Sequence, residues 1–98
     1  MAHRQIQVSP HAEVRAGERG FTESVIRFVA KRGDVRKPAK NGRRAVFVSE
    51  HLADVLAARG FGMEFLRDVR RCCVIVHGQV VITAHDGNRM ERNFMKGV

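Results

Sequence analysis

The chain has 98 residues, of which 44% are hydrophobic and 29% charged, and this composition is typical of a globular protein and excludes an intrinsically disordered one. Its length predicts a single domain over residues 1–98 with one modest core. Eighteen Lys and Arg outnumber ten Asp and Glu and give a net charge of +8, which favours a polyanionic partner such as nucleic acid over a basic surface that only maintains solubility.

The first third of the chain predicts a short strand followed by two helices. Residues 5–8 alternate between polar and apolar side chains, as in a strand. Ser9 and Pro10 indicate a helix start, because Ser is a good N-cap and Pro fits the first helical position. Thr22 is the N-cap of a second helix. The two predicted helices run from the Ser9 cap to Arg19 and from the Thr22 cap to Gly33.

The middle of the chain predicts a hairpin and a third helix. Asn41-Gly42 stands between two extended runs, which is a strong signal for a β-hairpin. Pro38 places the first of these strands at a sheet edge, because proline cannot donate to a neighbouring strand. Ser49 caps a third helix, which we expect to end at Arg59.

The last third predicts a second hairpin at the centre of the sheet. Residues 63–69 have apolar positions at helical spacing but are ambiguous. Residues 72–76 and 80–84 are apolar on both faces, and Gly78-Gln79 between them suits a two-residue turn.

These elements define an α+β fold in the order β-α-α-β-β-α-(α)-β-β. We expect a small antiparallel sheet that is packed by helices on one face. Residues 86–98 contain Gly87, Asn88 and three bases and are predicted to form a flexible tail.

The positive charge is concentrated in residues 27–44, which contain eight bases and one acid and therefore carry +7. Such segregation is typical of a binding face, while a solvated helix end and hairpin is the alternative. Phosphate contact is better supported than base stacking, because the chain has neither Tyr nor Trp. The candidate nucleic-acid-binding residues are Arg19, Arg36, Lys37, Lys40, Arg43 and Arg44.

The candidate catalytic residues are His11, Arg15 and His85. His11, Arg15 and Arg19 recur every four residues and form one stripe along the first helix. An imidazole beside two guanidiniums suits phosphodiester chemistry, since the histidine moves a proton and the arginines hold the developing charge. His85 ends the last strand, where side chains commonly face a cleft. The alternative is structural, with the arginines paired to nearby glutamates.

No metal and no cofactor is predicted, because the chain lacks CxxC spacing, a His pair at i, i+4 and a glycine-rich phosphate loop. Cys72 and Cys73 are adjacent and so point to opposite faces of a strand, which suits free core thiols in a reducing compartment. No apolar run is long enough to span a membrane, and no signal region is present at the start. We therefore expect a cytoplasmic protein that has no membrane partner.

The opening S-P-H-A-E-V-R-A-G-E-R-G-F, residues 9–21, resembles that of a small bacterial family with the pattern S-x-H-A-x-x-R-x-x-x-R-G. The segment V-I-T-A-H, residues 81–85, is similar to the last strand of that family. The middle departs from it, since the helix over 50–59 looks like an insertion. The family is similar to RelE-type toxins and the barnase-like ribonuclease superfold.

This resemblance implies a RelE-like fold and metal-independent endoribonuclease activity, with the ribosome or an acidic antitoxin as a partner besides RNA. His11 or His85 would then be the base or the acid, and Arg15 and Arg19 would bind phosphate. Fold alone does not determine function. Two alternatives therefore remain open: a non-catalytic module that binds nucleic acid or protein, and a toxin-like fold that acts through an acidic antitoxin segment.

Overall fold

A computed structural model of the chain describes residues 5–86 and confirms the α+β class. A five-stranded sheet has the strand order β1-β5-β4-β3-β2. The strands are β1 Gln7–Val8, β2 Val35–Pro38, β3 Arg44–Phe47, β4 Cys72–His77 and β5 Val80–Asp86. The helices are α1 Pro10–Glu18, α2 Glu23–Arg32, α3 Glu50–Ala58 and α4 Met63–Arg71, and a short 3₁₀ turn covers Lys40–Gly42.

The sheet is mixed, and the prediction of a purely antiparallel sheet was wrong. β1 pairs with β5 in parallel, while the other three strand pairs are antiparallel. Hairpins force neighbouring strands to run antiparallel, but β1 and β5 are separated by the whole chain, so no turn constrains their relative direction.

Side-chain caps start three of the helices at the predicted residues. The hydroxyl oxygens of Ser9, Thr22 and Ser49 accept hydrogen bonds from the third backbone N–H that follows each of them, at 3.1, 3.3 and 3.0 Å. These bonds satisfy donors that a helix start would otherwise leave unpaired. The ambiguous segment is also helical, and it forms α4.

Both predicted hairpins are present in the structure. Asn41 and Gly42 have φ values of 61° and 72°, so both adopt the left-handed conformation that the turn between β2 and β3 requires. Gly78, with φ of 61°, begins the turn between β4 and β5. β2 is an edge strand, as Pro38 predicted.

The main core lies between the helices and one face of the sheet. Val25, Ile26 and Val29 of α2 pack there against Val74 of β4. A smaller cluster on the other face consists of strand residues only: Ala45, Phe47, Cys73 and Ile75, with Val35 beside them. All helix residues in the two clusters belong to the main core, which agrees with the prediction that the helices pack on one face of the sheet.

The adjacent cysteines lie on opposite faces, as predicted. Cys72 belongs to the main core and Cys73 to the smaller cluster, and both are free and buried. Burial raises the pKa of both thiols, in the case of Cys73 to about 12.

Asp86, which was predicted to begin the tail, is instead the last residue of β5 and pairs with Cys72. Residues 87–98 lie outside the described part of the chain. Among residues 5–86, no helix has the length and apolar character that crossing a membrane requires.

Candidate functional site

Ser9 fixes the start of α1 to the edge of β5. Its backbone N–H donates to the carbonyl of Val81 at 3.0 Å, and its hydroxyl donates to the carbonyl of Ile82 at 3.2 Å. The same hydroxyl accepts the capping bond from Ala12. β1 ends at Val8, so α1 lies beside β5 beyond the point where the pairing of the two strands ends.

α1 lies close to β5 because the side chains between them are small. Ala12 and Ala16 are fully or almost fully buried, one helical turn apart. His11 and Arg15 each precede one of these alanines, so they lie about 100° around the helix axis from the buried stripe. Both side chains are exposed. The predicted stripe of His11, Arg15 and Arg19 therefore borders the contact between α1 and β5.

In the structure, His85 lies within electrostatic range of Arg19 and Arg15. Strand register places His85 opposite Cys73 and Thr83 opposite Ile75, so both β5 side chains lie on the sheet face away from the main core. His85 is half-buried, and this burial lowers its pKa; the nearby charges of Arg19 and Arg15 lower it further. A neutral imidazole is thus favoured beside two guanidiniums.

α1 and β5 run in the same direction from their common anchor. The helix begins beside Val81 and Ile82, and its last turn and cap bring Arg15 and Arg19 into electrostatic range of His85. His11 lies in the first turn of α1, nearer the anchor than the two arginines. Of the other two predicted catalytic residues it is Arg15, not His11, that acts electrostatically on His85. We refer to His11, Arg15, Arg19 and His85 as the seam.

Arg15 has one partner within its own helix. Its Nη1 lies 3.4 Å from Oε1 of Glu18, and both side chains are about half exposed. Exposed pairs of this kind contribute about 0–1 kcal/mol. A phosphate can therefore replace Glu18 at little cost.

Arg71 contacts three segments near the end of β5, and nothing in the sequence predicted this. Its guanidinium lies 3.8 Å from the carboxylate of Asp86, 3.7 Å from that of Asp68 and 5.4 Å from the ring centroid of Phe21. Asp86 ends β5 and Phe21 follows α1 by three residues, so Arg71 links the ends of these two elements, on the sheet face opposite to His85. No motif in the sequence indicates this, because the contacts join three distant segments.

Within the predicted basic segment 27–44, two bases donate to backbone carbonyls and two adjacent bases on β2 point to opposite sides of the sheet. Arg27 donates to the carbonyl of Ile6, and Arg36 donates to that of Ala30 at 3.2 Å. Lys37 follows Arg36 along β2 and therefore points to the opposite side of the sheet. The signal for this separation was present in the sequence, since adjacent strand residues always diverge.

The remaining predicted phosphate contacts gather at the β2–β3 turn. Lys40, Arg43 and Arg44 surround this turn, which lies beside the other hairpin, because a Cβ at Gly42 would be 3.8 Å from Nε2 of His77. β2 is separated from β5 by two strands, or about 14 Å at the usual strand spacing. Of the six predicted nucleic-acid-binding residues, Arg19 alone belongs to the seam.

Comparison with known proteins gives no matching family model, no matching curated protein and no matching solved structure. Within residues 5–86, no three His, Cys, Asp or Glu side chains form a group that could hold a metal ion.

Proposed function

We propose that this protein binds RNA at the seam and cleaves it by metal-independent transesterification. The observation that carries the proposal is the half-buried His85, whose pKa is lowered beside Arg15 and Arg19. A perturbed titratable group beside two cations is typical of a functional site that receives an anion.

His85 is the general base in this proposal. Because its pKa is lowered, its imidazole is neutral at pH 7 and can accept the proton of a ribose 2′-hydroxyl. The activated oxygen then attacks the adjacent phosphorus. As the phosphate neutralises the two arginines, the charge that disfavoured imidazolium is offset, so the bound substrate itself helps His85 to take up the proton.

Arg15 and Arg19 stabilise the charge that develops on the phosphoryl oxygens. Guanidinium suits this task, since its planar N–H groups match phosphate oxygens. His11 is the general acid, because it belongs to the same stripe and is exposed to solvent. It donates a proton to the departing 5′-oxygen. The bond between phosphorus and that oxygen breaks, leaving a 2′,3′-cyclic phosphate on one fragment and a 5′-hydroxyl on the other.

A non-catalytic module that binds nucleic acid is the second candidate. The basic residues at the β2–β3 turn favour this candidate. They lie at least two strand positions from β5, which carries His85, and they can bind phosphates without cleaving RNA. The resemblance to RelE-type proteins adds the ribosome and an acidic antitoxin as partners to test.

The test is RNA cleavage in EDTA, measured with and without ribosomes. His11→Ala, Arg15→Ala and His85→Ala should each lower the rate at least tenfold, because loss of a general acid or base typically costs about 10²–10⁴-fold. His51→Ala and Arg59→Ala are the matched controls, since both residues are exposed at the ends of α3, and they should cleave like wild type.

Two outcomes would contradict the proposal. Wild type that binds RNA and cleaves it under neither condition supports the non-catalytic module instead. Cleavage that all three seam variants retain at the wild-type rate places the chemistry elsewhere on the molecule.

A further inference from the structure

We propose that the protein forms a symmetric homodimer through a groove between α3 and α4, which is a property beyond the proposed RNA cleavage. The groove has a volume of about 630 Å³. Its floor is apolar, because Val48 at the end of β3, Ala53 of α3 and Leu66 of α4 line it and are buried.

Met63 is the side chain that fills the groove of the partner copy in this proposal. It is the first residue of α4, it lies on the groove rim, and it is 78% exposed. Within residues 5–86, the other exposed large hydrophobic residues are less exposed: Val14 at 62% and Phe61 at 38%. Methionine is unbranched and adapts to irregular apolar gaps.

A projecting apolar side chain beside an apolar groove is a self-complementary surface. Under a two-fold axis, each copy presents the same patch to the other. The Met63 side chain of each copy then enters the groove of its partner. One surface thus provides both halves of the interface.

The charges on the two rims fit this arrangement. Asp54 lies on the α3 rim and Arg67 on the α4 rim, and neither forms an ion pair within residues 5–86. A two-fold axis that brings α3 of one copy against α4 of the other places each Asp54 opposite the partner's Arg67. Complementary rim charges of this kind fix the register of an interface.

The groove also avoids the repulsion between two copies that each carry +8. Its lining contains three acids and three bases, so it is locally neutral. Association elsewhere on a strongly basic surface would bring like charges together. The lining residues with charge are Glu50, Asp54, Glu64, Arg67, Arg70 and Arg71.

The test is sedimentation equilibrium of the full chain up to about 0.5 mM, a range that detects even a weak dimer. Wild type should show a reversible species of twice the 11.0 kDa chain mass. Met63→Glu should raise the dimer Kd by about thirtyfold or more, the size of effect expected at an interface centre. Val14→Glu is the matched control, since it makes the same change at an exposed apolar residue on α1, and it should leave the Kd unchanged.

A charge exchange tests the register independently. Asp54→Arg and Arg67→Asp should each weaken the dimer, and the double variant should recover most of the loss. Circular dichroism checks that each variant is folded, as expected for exposed positions. Wild type that stays at 11.0 kDa throughout overturns the proposal. Equal weakening by Met63→Glu and Val14→Glu, or a double variant that recovers nothing, also overturns it.

Discussion

Substitution of Gly33 by alanine should destabilise the fold strongly. Gly33 caps the end of α2, and a Cβ there would lie 2.5 Å from Cγ1 of Val46, 2.7 Å from the carbonyl oxygen of Val29 and 3.0 Å from that of Phe47. Two of these three atoms belong to the backbone, and the Val29 oxygen is held by a 2.8 Å bond from the Gly33 N–H. The main chain must therefore shift.

The cost comes from packing, because Gly33 has φ of −57°, which alanine adopts without strain. Overpacking of a core costs about 1–3 kcal/mol, and we expect the upper end here since backbone atoms cannot rotate away. For a domain of this size, about 3 kcal/mol lowers Tm by about 12–24 °C. Thermal unfolding followed by far-ultraviolet circular dichroism measures the shift.

Gly17→Ala provides the matched control for this prediction. Gly17 lies inside α1, and a Cβ there would meet nothing within 4 Å. The same substitution should therefore stabilise the protein by up to about 1 kcal/mol, because alanine favours the helix. The reasoning is refuted if Gly33→Ala stays within about 0.5 kcal/mol of wild type, the range of an uncomplicated surface change, or if both variants lose stability equally.

Four further predictions concern the cap of α3, the acid dependence of stability, the thiols and RNA binding. Ser49→Ala should lower the free energy of unfolding by about 1 kcal/mol, because it removes the cap of α3. Burial raises the pKa of Asp34, but its bonds from the Ser49 hydroxyl and N–H outweigh this, so its pKa is lowered. Stability from Asp34 is present above its unfolded pKa and is lost as pH falls through the lower folded pKa. In urea titrations, Asp34→Asn should therefore reduce the fall in the free energy of unfolding between neutral and acid pH. Cys72 and Cys73 should resist a thiol reagent in the native state at pH 8, as their raised pKa values require; rapid modification without unfolding would contradict this. RNA affinity, followed by fluorescence anisotropy, should fall by orders of magnitude between about 50 and 200 mM salt, and a flat response would argue against phosphate contacts.

Local chemistry explains why much of the fold was predictable. The caps at Ser9, Thr22 and Ser49 and the Asn41-Gly42 turn each act within a few residues, so their effect can be deduced from the sequence alone. The opposite orientation of the two cysteines follows from the strand period in the same way.

Long-range contacts were not predictable in this way. The parallel pairing of β1 with β5 depends on which sheet edge is free after the hairpins assemble. The link from Arg71 to Phe21 and Asp86 depends on the packing of α4.

The candidate site combines both kinds of information. The helical period predicts that His11, Arg15 and Arg19 share a stripe. Their position beside His85 depends on the register of β5 and on the bond from Ser9 to Ile82, which joins residues far apart in the chain.

The pKa of His85, measured by NMR titration with and without a non-cleavable 2′-deoxy oligonucleotide, tests the proposed seam most directly. His85→Gln identifies the resonance, and Arg19→Gln should raise the pKa of the free protein, since it removes a nearby positive charge. A phosphate bound between Arg15 and Arg19 should likewise raise the pKa of His85. An oligonucleotide that binds the protein and leaves the pKa of His85 unchanged would show that the phosphate lies elsewhere.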